Sequence, residues 1–325
     1  MVTTADERRF FHILIRLVFA AAAFSTVIAL FARWFWFAEL FSHFRLYYLL
    51  LLAVLIPVFL YGRYFGLMVA SGILLIPNAW VVVPYLATII GEQEVGDEAA
   101  IHVVAANLNY KIQSLGRLNT YLIERSPDLI VFSEITPPAE RALRGLGDSY
   151  RYQAGQSRTD PWGLKVYSRL PIRESELLSL SLGEDIQVRV RVETAGGLID
   201  VFAVHFYSPI SADMARSRNA QMMALSALLK ASDVPQLVIG DMNVTPFSPV
   251  FARFMDESGL VDARLKDGYH ITWPTSALPL WIPIDHALAG NGLDVSKVQT
   301  GPNIGSDHYP IEVTINSAIK NPAAD

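Results

Sequence analysis

The chain has 325 residues, with 26 Lys and Arg against 31 Asp and Glu, 52% hydrophobic and 18% charged residues, and no cysteine. A formal charge of −5 gives no reason to expect a basic nucleic-acid-binding surface, and the lack of Cys removes disulfide scaffolds, thiolate metal sites and thiol catalysis. A mean hydropathy of +0.32 excludes a disordered chain, and the charge content is low beside the roughly 25% of an ordinary soluble domain.

The apolar excess is concentrated at the N-terminus. Between Phe10 and Ile90 only Arg16, Arg33, Glu39, Arg45 and Arg63 carry a formal charge. A bilayer core is crossed by about 20 mostly apolar residues per helix. Three stretches approach that length: around His12–Ala32, Leu46–Tyr61 and Tyr64–Val83. Trp34, Trp36, Tyr47, Tyr48, Tyr61 and Tyr64 cluster at the proposed ends, as interfacial aromatics do, and Arg16 stands within snorkelling reach of headgroups. Residues 1–91 are therefore expected to form a transmembrane region of about three helices. Arg8, Arg9, Arg16 and Arg63 fall on one side of the spans, Arg33 and Arg45 on the other. By the positive-inside rule the N-terminus is cytoplasmic, and three crossings carry the rest of the chain outside.

Residues 92–100 read as a short acidic linker, with Glu92, Glu94, Asp97 and Glu98. From 101 to 325 short apolar runs alternate with amphipathic stretches. Ile101–Ala106, Asp128–Phe132, Leu164–Tyr167, Ile186–Val192, Leu198–Val204, Gln236–Ile239, Ile284–Ala289 and Tyr309–Thr314 read as strands. Ser114–Arg125, Pro138–Leu146, Ala212–Lys230 and Pro249–Glu257 read as helices. The pattern is that of a layered α/β domain.

The informative polar residues close the apolar runs: Asn107-Leu-Asn109, Ser133-Glu134, His205, Gly240-Asp241-Met-Asn243, Asp285-His286 and Ser306-Asp307-His308. A strand delivers whatever follows it to the rim of its sheet, where function sits. Carboxylates and carboxamides gathered there are the oxygen ligands that Mg²⁺, Mn²⁺ or Ca²⁺ prefer, and histidines beside them with no Cys suit proton transfer better than a zinc site. The combination points to phosphate-ester chemistry, in which positioning and charge neutralisation supply most of the catalysis.

The ordered series Asn-x-Asn, Phe-Ser-Glu, Tyr-Ser-Arg-Leu-Pro-Ile, Val-His, Gly-Asp-Met-Asn, Ile-Asp-His and Gly-Ser-Asp-His-Tyr-Pro-Ile resembles the endonuclease/exonuclease/phosphatase superfamily over Ile101 to Asn316. The resemblance implies a DNase I-like α/β/β/α sandwich of four layers, here over residues 101–325. It implies a Mg²⁺ cofactor, with Mn²⁺ as the alternative, held by Glu134 with Asn109 and Asp307 near the same ion. Asn107 and Asn243 would hold the scissile phosphate and orient the attacking water, which Asp241 would position or deprotonate. His308, steered by Asp285, would bind phosphate oxygens, and His205 would protonate the leaving oxygen. Asn109 stands where many members have Asp, which makes the metal site one negative charge weaker. His205 in its Val-His setting resembles DNase I and the sphingomyelinases and argues against abasic-site repair. Arg216 and Arg218 read as a solvated helix face, and His102, His270 and His286 as structural.

For substrate, the anchor favours a membrane-associated phosphate: a phospholipid, a polyprenyl (pyro)phosphate or a related headgroup. The overall plan resembles three-span members of the family associated with bacterial glycopeptide resistance, which implies a bacterial cytoplasmic membrane and an envelope lipid. Thr272-Trp273-Pro and Leu278-Pro-Leu-Trp281-Ile form an apolar lip between two site blocks, suited to a lipid interface. The alternative is a tethered extracytoplasmic nuclease. It is disfavoured by the 20 basic and 26 acidic residues from Gly96 onwards, too few cations for tight phosphate-backbone binding.

Overall fold

The structure, a computed structural model, describes residues 5–86, 100–181, 183, 185–277 and 280–316. Apart from Ala100, the expected linker lies outside the described residues, as do Leu278 and Pro279 of the lip. The described chain forms two units: one runs up to Leu86 and includes Thr245–Pro249, and the other is the remainder.

The first unit contains α1 (Ala5–Leu30), α2 (Trp36–Ser42), α3 (Arg45–Tyr61) and α4 (Phe65–Leu86). Arg9–Leu30 and Phe65–Leu86, 22 residues each, are long and apolar enough to cross a membrane. The segment expected as a second span differs. With 17 residues, α3 reaches span length only together with α2, from which it bends by 57°. Arg45 stands at that bend and is buried. Its guanidinium donates to Ala29 O in the last turn of α1 (3.0 Å) and to Pro77 O within α4 (3.3 Å), so it ties the end of α1 to α4. Asn78 Nδ2 likewise donates to Thr26 Oγ1 (3.0 Å). Within the same unit Ser248 Oγ donates to the buried Glu39 carboxylate (2.7 Å), and Thr245 Oγ1 lies 3.0 Å from His43 Nδ1. The outward faces are apolar: Phe24, Val54, Ile73 and Trp80 are all exposed.

The second unit holds two six-stranded sheets. One runs β11 (Val295–Thr300), β12 (Ile311–Ile315), β1 (Ile101–Asn107), β2 (Leu129–Ser133), β4 (Leu164–Ser168), β3 (Tyr152–Gln156). The other runs β5 (Ile172–Leu178), β6 (Gln187–Thr194), β7 (Gly197–His205), β8 (Gln236–Asp241), β10 (Asp285–Gly290), β9 (Val261–Asp262). Only β1–β2 and β7–β8 pair in parallel; the other pairings are antiparallel. Alternate residues of the central strands (Val103, Ala105 and Val131 from one sheet, Val201, Ala203, Leu237 and Ile239 from the other) meet in one buried cluster between the sheets. The opposite faces are also buried. Helices α5 (Gly116–Arg125) and α6 (Pro137–Ala142) cover Val104, Ala106, Ile130 and Phe132, while α7 (Ala212–Lys230) and α8 (Pro249–Ser258) cover Phe202, Val204, Val238 and Leu288. The layers are helix, sheet, sheet, helix. A four-residue helix, α9 (Arg264–Asp267), follows β9.

Strand register decides where the site lies. Asn107 pairs with Ser133 at the end of the β1–β2 ladder, His205 with Asp241 at the end of β7–β8, and Asp285 with that same Asp241 across β8–β10. Gly240 makes this approach possible. It adopts φ +136°, and a Cβ there would stand 2.2 Å from Val204 O.

Candidate active site

Asn107 is the hinge of the cluster. Its Nδ2 donates to Glu134 Oε1 and to Asp241 Oδ2, both at 3.1 Å, so one amide joins a carboxylate of each sheet. Its Oδ1 accepts the Asn109 N–H (2.9 Å), and Glu134 Oε2 accepts the Tyr110 N–H (2.9 Å). Asn109, Glu134 and Asn243 all have positive φ (56°, 55° and 50°), so three site residues occupy the left-handed region that non-glycine residues rarely visit. Backbone of that kind clusters where a side chain must be aimed rather than packed.

Two amides have fixed orientations. Asn109 Oδ1 accepts from Lys111 N (3.0 Å), which turns its Nδ2 to Asp307 Oδ1 (2.9 Å). Both ends of the Asn109 amide are thereby engaged, and towards Asp307 it is a donor. Trp273 Nε1 reaches the other Asp307 oxygen at 3.3 Å. Asn243 Nδ2 donates to Phe206 O (2.9 Å) and its N–H to Asp241 Oδ1 (2.9 Å). Among the described residues Asn243 Oδ1 has no hydrogen-bond partner, and it is an acceptor, the kind of group that orients a water proton. The side-chain N–H is engaged by Phe206 O.

His308 is buried, with Nδ1 2.9 Å from Asp285 Oδ2 and Nε2 3.8 Å from Asp241 Oδ2. Burial by itself would push the imidazolium down, but Asp285 and Asp241 outweigh it and raise His308 to about 10. For Asp241, burial and then the charge of Asp285 raise the carboxyl to about 6, against the opposing pull of His308 and His205. Asp285 itself stays below the ordinary carboxylate range: burial opposes this, and the His308 charge and hydrogen bond outweigh it. The site therefore sets a carboxylate poised near neutrality, suited to accept a proton, beside an imidazolium that stays charged.

His205 differs. Its Nε2 lies 3.8 Å from Glu134 Oε1 and 3.7 Å from Asp241 Oδ2, beyond hydrogen-bond length, and the buried Nδ1 has no partner among the described residues. Its ring is flanked by Trp162 at 5.4 Å between centroids, and its backbone N–H and C=O are both held by Gln187.

All nine residues singled out from the sequence thus meet in one linked cluster: Asn107, Asn109, Glu134, His205, Asp241, Asn243, Asp285, Asp307 and His308. The sequence reading did not find Trp162 or Gln187, and it placed Thr272 in the lip, whereas the Thr272 hydroxyl receives the Asp285 N–H (3.1 Å). Arg218 corrects an expectation: Arg216 is exposed as expected, but Arg218 is buried and donates to Asn243 O (3.1 Å). The signal was Arg218 and Gln221 spaced three apart beside the apolar face of α7. His286 is structural as expected. Its Nδ1 faces Arg264 (2.6 Å) and its Nε2 donates to Val244 O (2.7 Å), while burial and then Arg264 depress it to about 3.

The donor set fits a hard divalent cation. Glu134, Asp241, Asp285 and Asp307 lie together with His308, four carboxylates beside one cation, and the Asp241 carboxyl is raised by burial first and by the charge of Asp285 second. Asp241, Asp285 and His308 also offer ligand atoms within 4.8 Å of one another. A His308 held as imidazolium has no lone pair for a metal, so this trio reads as a proton-transfer group. Glu134, 17% exposed, is the carboxylate open to an ion.

Residues 104–308 match the model of the Endonuclease/Exonuclease/phosphatase family, and the chain belongs to that family. Members of this superfamily are phosphoester hydrolases. Among solved structures the chain is similar to D. rerio TDP2 complexed with single strand DNA product (17% identity, TM-score 0.58, covering 67% of this chain and 100% of that one). It is also similar to sphingomyelinase C from Streptomyces griseocarneus (20%, 0.51, 67% and 99%) and to a family protein from Leptotrichia buccalis (15%, 0.54, 66% and 99%). At these identities the likeness shows the α/β DNase I-like fold. No curated protein matches by sequence.

Proposed function

We propose that this chain is a membrane-anchored, divalent-metal-dependent phosphoesterase that hydrolyses a lipid-linked phosphate ester or pyrophosphate outside a bacterial cytoplasmic membrane. The observation that carries the hydrolytic part is the apposition of Asp241, near pKa 6, with a protonated His308 braced by Asp285. Glu134, with Asp307 nearby, would hold Mg²⁺ or Mn²⁺. A bound divalent ion neutralises charge on the phosphate oxygens. Asp241 accepts the proton of a water whose orientation Asn243 Oδ1 sets. The His308 imidazolium binds a non-bridging phosphate oxygen, and His205 delivers a proton to the leaving oxygen. Attack in line from the Asp241 side needs no covalent intermediate.

The lipid part rests on the N-terminal unit. Two 22-residue apolar helices, and three spans if the bent α2–α3 pair counts as one, would tether the catalytic domain beside the bilayer. The lip around Trp273 and the half-exposed Leu280 supports an interfacial substrate. A second reading, a tethered nuclease, draws on the likeness to the TDP2 complex with single-strand DNA product. The full chain in detergent with Mg²⁺ should release phosphate or headgroup from polyprenyl pyrophosphate or phospholipid, lose that activity in Glu134→Gln, and cut plasmid DNA far more slowly. Faster cleavage of DNA than of any lipid phosphate would replace the first reading with the second.

A further inference from the structure

The parallel β7–β8 ladder ends at the pair His205–Asp241. Two residues further, where the chain carries Tyr207 and Asn243, the backbone no longer has a neighbouring strand. It nevertheless has to satisfy its polar groups, and those groups turn to α7. Arg218 Nη1 donates to Asn243 O (3.1 Å), and Gln221 Oε1 accepts the Tyr207 N–H (3.1 Å). Gln221 Nε2 donates to Asp185, which is also approached by Gln187 Nε2 (3.5 Å) and bonded by Ser181 Oγ (2.5 Å). Gln187 closes the chain on the backbone of His205, accepting its N–H (2.7 Å) and donating to its carbonyl (3.1 Å). Arg218, Gln221, Asp185 and Gln187 are all buried, at 1% exposure or less.

Residues three apart share one helix face, and in α7 that face is polar where packing alone would favour leucine. Burying a guanidinium and a carboxamide is costly unless they are bonded. Here the bonds run to the backbone of the two loops that present His205 and Asn243, while Met222, Leu225 and Leu229 on the same helix pack against the sheet.

We propose that Arg218 and Gln221, with Asp185 and Gln187, are positioning residues: one buried polar brace on α7 fixes the His205 loop relative to the Asn243 loop. The catalytic consequence rests on the phosphoesterase reading; the mechanical one does not. Misplacement of a reacting group by about 1 Å can cost about 100-fold in rate.

The test uses the full chain in detergent, with bis(p-nitrophenyl) phosphate and Mg²⁺ as probe and hydrogen exchange by mass spectrometry as the second readout. Leu225→Ala, which loosens the same helix without removing a hydrogen bond to either loop, is the control. Gln221→Met should speed exchange at Tyr207 and lower kcat by about 10-fold or more while KM stays within about 2-fold. Arg218→Met should do the same for peptides covering Asn243, and Arg218→Lys should recover part of kcat. Leu225→Ala should lower the melting temperature comparably yet leave kcat and the Tyr207 amide unchanged. If Arg218→Met does not fold, Gln221→Met and Arg218→Lys decide. Unchanged Tyr207 exchange in Gln221→Met, or kcat that simply follows melting temperature through Leu225→Ala, would overturn the brace. Failure of the wild type to cleave the probe would count against the phosphoesterase reading, and the exchange data would still decide the brace.

Discussion

Two imidazoles serve the cleft, and their neighbours separate their roles. His308 shares its Nδ1 proton with Asp285 and stays charged to about 10; His205 has no carboxylate within hydrogen-bond length. Asp241 must be deprotonated to accept a proton, so the rate should rise with pH through about 6. His308 must be protonated to bind the phosphate oxygen, so its contribution should be lost as pH rises towards about 10. Asp285→Asn removes the largest upward influence on His308 and should bring the alkaline limb down towards the ordinary histidine range, near 6.5, with a loss of about 10²–10⁴ in kcat. A pH–rate profile of the variant checks this; an unmoved alkaline limb would assign that limb to another group. The identity of these residues was legible, because each closes an apolar run in a motif of fixed order. Their hydrogen-bond directions were not. That Asn243 spends its amide N–H on Phe206 O and leaves its oxygen unbonded among the described residues, and that Asn109 gives its amide to Asp307, depend on Phe206 O and Lys111 N, partners that no spacing reveals.

At the scale of elements, the eight strands read from the sequence are all present, and the four it missed, β3, β5, β9 and β11, are the four sheet edges. The reason is physical. A central strand is buried on both faces and reads as an apolar run, whereas an edge strand such as Ile172–Leu178 is mostly exposed and carries charges that discourage further pairing. Edges are instead held by side chains reaching inward. Glu312 on β12 is buried and accepts from Tyr121 of α5 (2.8 Å) and Gln299 of β11 (2.6 Å), with His102 of β1 at 3.3 Å and Arg125 nearby. Burial would raise its carboxyl, but these partners outweigh it and lower it to about 2 from an ordinary 4.5. A carboxyl depressed in the fold stabilises it above the unfolded pKa, and that stability is lost as pH falls from about 4.5 to about 2. Glu312→Gln should cost about 1–3 kcal/mol at neutral pH and flatten the acid limb of the stability curve, measured by urea unfolding. An unchanged acid limb would show that other carboxyls govern it.

At the scale of the molecule, hydropathy divides the chain before any coordinate does. The consequence is tested on intact cells: the full chain should stay with membranes through alkaline carbonate extraction. Protease added to spheroplasts should cut within residues 101–325 if three crossings carry that domain outside, and should spare it if the bent α2–α3 pair does not cross. Arg45 shows why counting charges is not enough. It reads as a loop cation, yet it lies buried against the carbonyls of α1 and α4, where it serves a helix end rather than a membrane surface.

The sequence alone determined that an apolar helical region precedes an α/β domain, and it singled out nine side chains that the fold gathers at the strand ends, because burial demands apolar runs and polar residues fall where those runs stop. Only the tertiary structure decided how those side chains are aimed: the register that sets Asp285 opposite Asp241, the left-handed backbone at Glu134, and the buried face of α7 behind both loops. Such contacts join residues far apart in sequence, as when Asn107 bridges Glu134 and Asp241, and the energy that selects them exists only once both sheets have packed.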